Sequence, residues 1–203
     1  QNSQTIRVHY KKDTGDILQK GPVALPSGVT CSDAEGFDEK RMLQLQEEGT
    51  WVQFYSGGGK LGEGEYRAGK REGMWTFYSK EGQMIREVMY QDGLQNGQDT
   101  LYFPGTREWK ARGQNRNGKK TGTWEERLSQ DTDCISSGTY VEDDKQGQWT
   151  ECMKSREGEV FKGFEGEYRK GLKDGPATFY HPTGEPMATG EYRADMACLQ
   201  SPP

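Results

Sequence analysis

The sequence predicts an all-β chain, an elongated single-sheet repeat of antiparallel β-hairpins with about six units at a period of 24–28 residues. Composition is the first observation. Glycine numbers 28 in 203 residues and aromatics reach 11%, while Ile, Leu, Val and Phe together make up roughly a seventh of the chain. That aliphatic share falls below the ~20% at which disorder becomes the default, yet disordered chains are aromatic-poor. Short strands, tight turns and ring packing reconcile the two. The second observation is the lack of a sustained 3.6-residue apolar period anywhere except residues 38–47, which read as one short helix. The third is internal repetition, which decides the architecture.

Residues 64–82 (GEYRAGKREGMWTFYSKEG) and 166–184 (GEYRKGLKDGPATFYHPTG) agree at ten of nineteen positions without a gap. Weaker copies begin at Val88, Gly113 and Gly138, a half copy opens at Gly49, and a last unit starts at Gly190 without finishing. The second glycines are Gly49, Gly73, Gly97, Gly122, Gly147 and Gly175, spaced 24, 24, 25, 25 and 28 residues apart. Within a unit, one short strand carries Tyr66 and the next carries Trp75 and Phe77 on one face, because successive side chains alternate. Residues 69–73 are expected to form the polar turn between them, and residues 79–82 the turn back.

Taken in order, residues 1–40 read as an N-terminal arm or cap. In it Ile6–Tyr10 alternates like an edge strand, and Pro22 and Pro26 mark an extended linker. Residues 41–193 are the hairpin array, and residues 194–203 a C-terminal tail. Terminal repeats need such caps because a stacked array exposes its last faces. Homodimerisation through open sheet edges is compatible with this architecture.

The pattern Tyr-x-x-Gly-x-x-x-Gly-x-Trp-x-Phe-Tyr at a period near 24 resembles the MORN repeat, in particular the bacterial variant grouped as YwqK-like. The resemblance covers about residues 49–192. It departs where Phe-Tyr becomes Glu126-Arg127 and Glu151-Cys152, and where Tyr becomes Asn115. It implies one β-hairpin per repeat, stacked into a twisted antiparallel sheet, and its YwqK-like group carries an antitoxin label.

The chain begins at Gln1 without an initiator Met, which reads as a trimmed chain or a mature one after signal removal. Four cysteines without a CxxC pair fit two disulfides better than zinc. Cys134 and Cys152 flank a turn on antiparallel strands. Aligning Tyr140 with Trp149 leaves them about three residues out of register, so a bulge or offset is required. Cys31 and Cys198 lie in the two flanks, and their pairing depends on the path of the arm. Disulfides favour an oxidising, periplasmic or extracellular location; four free thiols would indicate a cytoplasmic one.

Chemistry is sparse. The only histidines, His9 and His181, fall in the edge strand and in a turn, with no local nucleophile partner. Gly57–Gly62 matches GxGxxG but precedes a strand, where phosphate cradling needs a helix N-terminus. Asp131, Asp133, Asp143 and Asp144 lack EF-hand spacing. The chain is therefore expected to be non-enzymatic, without cofactor or metal. A net charge of −5 argues against nucleic-acid binding. No apolar run approaches the ~18 residues of a membrane-spanning helix. Basic turn residues (Lys70, Arg71, Lys119, Lys120, Lys173) form a row that would suit anionic lipid, but such lysines also guard sheet edges, and a membrane surface is disfavoured as partner.

The aromatic rows remain. Trp51, Trp75, Trp124 and Trp149 occupy equivalent positions, interrupted by Asp99 and Ala177, and Tyr66, Tyr90, Tyr140, Tyr168 and Tyr192 form a second row. Most of these rings should be core. Rings left uncovered on a thin sheet would offer a strip to a partner protein or a glycan. Glu126 and Glu151 beside Trp124 and Trp149, with Trp75 further along, make the candidate binding patch. The expected function is a non-enzymatic, exported repeat scaffold that binds a protein. The alternatives are envelope-polysaccharide binding through the aromatic strip and antitoxin-like neutralisation of a toxin.

Overall fold

A computed structural model describes residues 6–10, 17–24 and 45–200. Among these residues the chain is all β, with fifteen strands and no helix. The strands are β1 (Ile6–Tyr10), β2 (Ile17–Pro22), β3 (Gly49–Phe54), β4 (Lys60–Arg67), β5 (Lys70–Tyr78), β6 (Met84–Gln91), β7 (Leu94–Tyr102), β8 (Trp109–Arg116), β9 (Lys119–Glu126), β10 (Ser136–Val141), β11 (Asp144–Lys154), β12 (Val160–Arg169), β13 (Leu172–Tyr180), β14 (Pro186–Arg193) and β15 (Met196–Gln200). Two compact bodies divide them: residues 1–95 with 104–106, and residues 96–103 with 107–203. Within each body, strands adjacent in sequence are adjacent in the sheet and pair antiparallel.

Glycine placement builds each hairpin. The connection from β4 to β5 is a two-residue turn, Ala68–Gly69, with φ of +50° and +74°. Positive φ at both central residues is the I′ geometry whose twist matches that of the flanking strands. The turn is therefore tighter than the expected residues 69–73. Gly73 lies inside β5 instead, at φ +67°, where two extra residues bulge out between the Glu63↔Thr76 and Glu65↔Glu72 pairs. Gly122, Gly147 and Gly175, three further members of the second-glycine series, likewise lie in bulges. The expected turn at residues 79–82 is present: the Gly82 amide donates to the Ser79 carbonyl (3.0 Å) and the Ser79 amide to Gln83 (2.7 Å).

Neighbouring hairpins are tied at their tips. The Gly93 amide donates to the Arg71 carbonyl (2.9 Å), and in the C-terminal body Gly171 donates to Lys145 (3.0 Å) and Asp195 to Lys173 (2.9 Å). Within each body these bonds couple a repeat to its neighbour, as nearest-neighbour coupling in a stacked array requires.

Several expectations at the flanks change. Residues 38–44 of the expected helix lie outside the described residues, and Glu47 makes a β-bridge with Val23 instead of a helical turn. Residues 17–22, assigned to the arm and linker, form β2, which pairs with β1 and β3. The tail likewise continues the sheet: β15 pairs with β14 along its length. Cys134 and Cys152 form a disulfide, with Cα atoms 6.0 Å apart. The required offset comes from the bulge at Gly147. It shifts the register from Tyr140↔Lys145 to Gly138↔Trp149 and brings the two cysteines nearly opposite. Cys198 is an exposed thiol on β15; Cys31, and with it the expected Cys31–Cys198 pairing, lies outside the described residues.

Candidate functional site

The first glycine of each repeat and the tryptophan of its second strand form one device. A methyl group on Gly138 would lie 2.2 Å from the Trp149 ring, and one on Gly113 would lie 2.3 Å from Trp124. Each indole therefore lies flat on bare backbone. Its Nε1–H donates to the carbonyl just beyond that glycine: Trp75 to Glu65 (3.0 Å), Trp124 to Gln114 (3.0 Å) and Trp149 to Thr139 (3.1 Å). Trp51 repeats this at the N-terminal end, lying on Gly21 and donating to Pro22 (2.7 Å). The tyrosines stand edge-on between the indoles. Tyr140 lies 6.2 Å from Trp124 and 5.0 Å from Trp149, and Tyr66 lies 5.3 Å from Trp75, all T-shaped.

This packing corrects the expected binding strip. Trp75, Trp124 and Trp149 are 0%, 1% and 2% exposed, so the rings are core and present no stacking surface. The interruptions are filled. At Ala177 the missing ring comes from the adjacent strand: Phe164, fully buried, covers Gly166 in place of an indole. At position 99 the buried pair is polar, with Asn115 Nδ2 donating to Asp99 Oδ2 at 2.8 Å. The unusual Asp99 and Asn115 thus accommodate each other.

Each aromatic stack is lidded by a cation. Arg71 lies 4.5 Å from the Trp75 ring centre, Lys120 4.2 Å from Trp124, Lys145 4.3 Å from Trp149 and Lys173 4.1 Å from Phe164. All four stand two residues before a second glycine. A basic residue recurring at that position was the signal; Arg71, Lys120 and Lys173 belong to the basic row that the sequence analysis read as guarding sheet edges in preference to meeting lipid. Lys120 Nζ also bonds Glu126 Oε1 (3.1 Å), while Lys145 Nζ bonds Glu151 Oε1, which accepts the Tyr168 hydroxyl at 2.9 Å as well. Glu126 and Glu151 occupy the position of Phe77 and Phe179, so a carboxylate under a lysine replaces a ring under the same cation.

The structure therefore brings Trp124, Glu126, Trp149 and Glu151 together in the C-terminal body, around Tyr140. Trp75 belongs to the separate N-terminal cluster with Tyr66, Phe77 and Tyr90. Burial, then the nearby Glu126 and Glu151 carboxylates, push the Tyr140 phenol up to about 12. Burial and Glu151 raise Tyr168 as well. Such groups stay protonated near neutrality and serve packing and hydrogen bonding.

A second motif escaped the sequence reading. KLGEGEYR (residues 60–67) and KGFEGEYR (residues 162–169) each build a Lys–Glu–Tyr triad on the face opposite the indoles. Lys60 bonds Glu63 (3.0 Å), which accepts the Tyr78 hydroxyl (2.6 Å); Lys162 bonds Glu165 (3.2 Å), which accepts from Tyr180. The hydrogen bond to Glu63 raises the Tyr78 phenol to about 12, and bonds from Tyr78 and then Lys60 lower the Glu63 carboxyl.

Among the described residues no three His, Cys, Asp or Glu side chains gather to hold a metal. Asp143 instead accepts the Lys120 amide at 2.7 Å. Gly57–Gly62 forms a hairpin loop and the start of β4, and His181 sits in a turn.

No curated protein shows significant similarity to the chain. Residues 71–92 and 173–194 match the model of the MORN repeat variant, and each spans the second strand of one hairpin through the turn after the next. The strands and turns observed at these two positions agree with that match.

Proposed function

We propose that the protein is a non-enzymatic repeat scaffold that binds another protein and works in an oxidising compartment. The observation that carries this reading is the commitment of the conspicuous side chains. Trp51, Trp75, Trp124 and Trp149 are buried, cations are stacked on the rings, and Glu126, Glu151, Glu63 and Glu165 are each bonded to a lysine and, except for Glu126, to a tyrosine hydroxyl. What remains is the outer surface of a repetitive sheet, which suits recognition of an extended partner better than turnover of a small substrate. The Cys134–Cys152 bridge is compatible with periplasmic or extracellular residence. Neutralisation of a toxin, as the antitoxin label of the YwqK-like group suggests, is one form this binding takes. The glycan alternative rested on exposed tryptophans, and their burial leaves it without a supporting observation.

The test is affinity capture with the non-reduced chain from an envelope fraction, followed by mass spectrometry and reconstitution with purified partner. A stoichiometric complex insensitive to added polysaccharide supports the scaffold. Retention on polysaccharide alone, or no partner at any ionic strength, overturns it.

A further inference from the structure

The repeat is broken in one place where the structure leaves a groove. On the turn edge of the C-terminal body, residues 155–159 and 181–185 close their hairpins tightly. The connection from β9 to β10, residues 127–135, is nearly twice as long. It is braced by its own side chains: the Asp131 amide donates to Ser129 Oγ (3.2 Å) and the Cys134 amide to Thr132 Oγ1 (3.1 Å). It is also tied covalently to β11 through Cys152. Between this connection and the two neighbouring turns lies an open groove of about 580 Å³.

Its lining differs from the rest of the sheet. Val160, Phe161 and Pro182 provide apolar surface, with Val160 and Phe161 half-buried. Asp131 and Glu159 stand exposed at its lip. Neither carboxylate has a hydrogen-bond or ion-pair partner among the described residues, whereas Glu126 and Glu151 are both paired. On the same connection Leu128 is 52% exposed.

We propose that this groove docks an extended segment of a partner protein in which basic and apolar side chains alternate. The alternation follows from the lining: apolar side chains enter toward Val160, Phe161 and Pro182, and guanidinium or ammonium groups meet the two unpaired carboxylates. The disulfide ties the connection to β11, which limits the ordering that binding would require. This inference rests on the protein-binding reading above and names its partner's chemistry.

The experiment titrates the full, non-reduced, ¹⁵N-labelled chain with an acetylated Arg-Leu-Arg-Leu peptide and, in parallel, with Glu-Leu-Glu-Leu. The expected result is saturable amide shifts confined to residues 129–132, 158–161 and 183–184 with the basic peptide, and at least tenfold weaker binding of the acidic one. Asp131→Asn with Glu159→Gln should weaken the basic peptide at least fivefold. A control removing two exposed charges of the N-terminal body, Glu81→Gln with Asp92→Asn, should leave it unchanged. Absence of saturation, shifts spread along the sheet, equal binding of both peptides, or equal loss in variant and control overturns the groove. A partner captured and reconstituted as above that binds the Asp131→Asn, Glu159→Gln chain with full affinity overturns the groove while leaving the scaffold standing. Failure of capture from every fraction counts against the scaffold itself.

Discussion

At the residue scale, the chain is governed by what glycine lacks. Gly138 is required because the Trp149 ring occupies the space where a Cβ would be. Gly138→Ala should therefore lower the unfolding free energy by about 1–3 kcal/mol, the usual range for overpacking a filled site. Ser137→Ala, one residue away on the opposite face, should stay within about 0.5 kcal/mol. Urea unfolding at unchanged slope measures both. Ionisation acts at the same scale. Tyr140, pushed up to about 12 in the fold, titrates near ~10 when unfolded. The fold thus favours the protonated phenol. Its contribution is fully present below about pH 10 and is lost as pH rises through the folded value. Tyr140→Phe should flatten the fall of thermal stability between about pH 10 and 12; an unchanged slope would assign that fall to other tyrosines.

The element scale shows substitution by compensation. Gly62 and Trp75 in one hairpin correspond to Phe164 and Ala177 in another, so the ring has crossed from the second strand to the first while the layer stays filled. Phe164→Ala should cost about 3–5 kcal/mol, as removal of a fully buried ring does. The double change Phe164→Gly, Ala177→Trp restores the arrangement seen at Gly62 and Trp75 and should recover more than half of that loss. A double-mutant cycle by urea denaturation reads the coupling, and additive losses would refute compensation. The same logic explains the lysine lids. Lys120 and Lys145 each lie over two rings, and Glu126 or Glu151 bonds the lysine at the repeat position where Phe77 and Phe179 flank Arg71 and Lys173.

For the whole molecule, stability comes from neighbours. Among the described residues, strands pair with those next to them in sequence, and each aromatic cluster is confined to one compact body. Buried side chains concentrate in β3–β6 and in β11–β13. Opening should accordingly be graded instead of uniform. Native-state hydrogen exchange should show the slowest amides in β5 and β12 and the fastest in β1 and β15, which among the described residues have a partner strand on one side only. Uniform protection along the chain would contradict the nearest-neighbour description.

The repeat period, the hairpin architecture, the rows of Trp and Tyr and the Cys134–Cys152 pairing were legible in the sequence, because each depends on alternation and spacing along a local hairpin. The role of each glycine was not: Gly73 reads equally as turn or bulge until the register of β4 against β5 is known. Nor was the fate of the tryptophans. Spacing places Trp75, Trp124 and Trp149 on one face, but whether that face is open depends on the glycine beneath, the tyrosine beside and the cation above, which come from adjacent strands. The groove beside residues 127–135 was hidden for the same reason, since its walls are three segments far apart in the chain. Sequence alone determined what a hairpin is and how often it recurs, because those are properties of neighbouring residues. Only the tertiary structure decided which side chains are spent on holding hairpins together and which are left to meet a partner, because burial is set by the strands on either side.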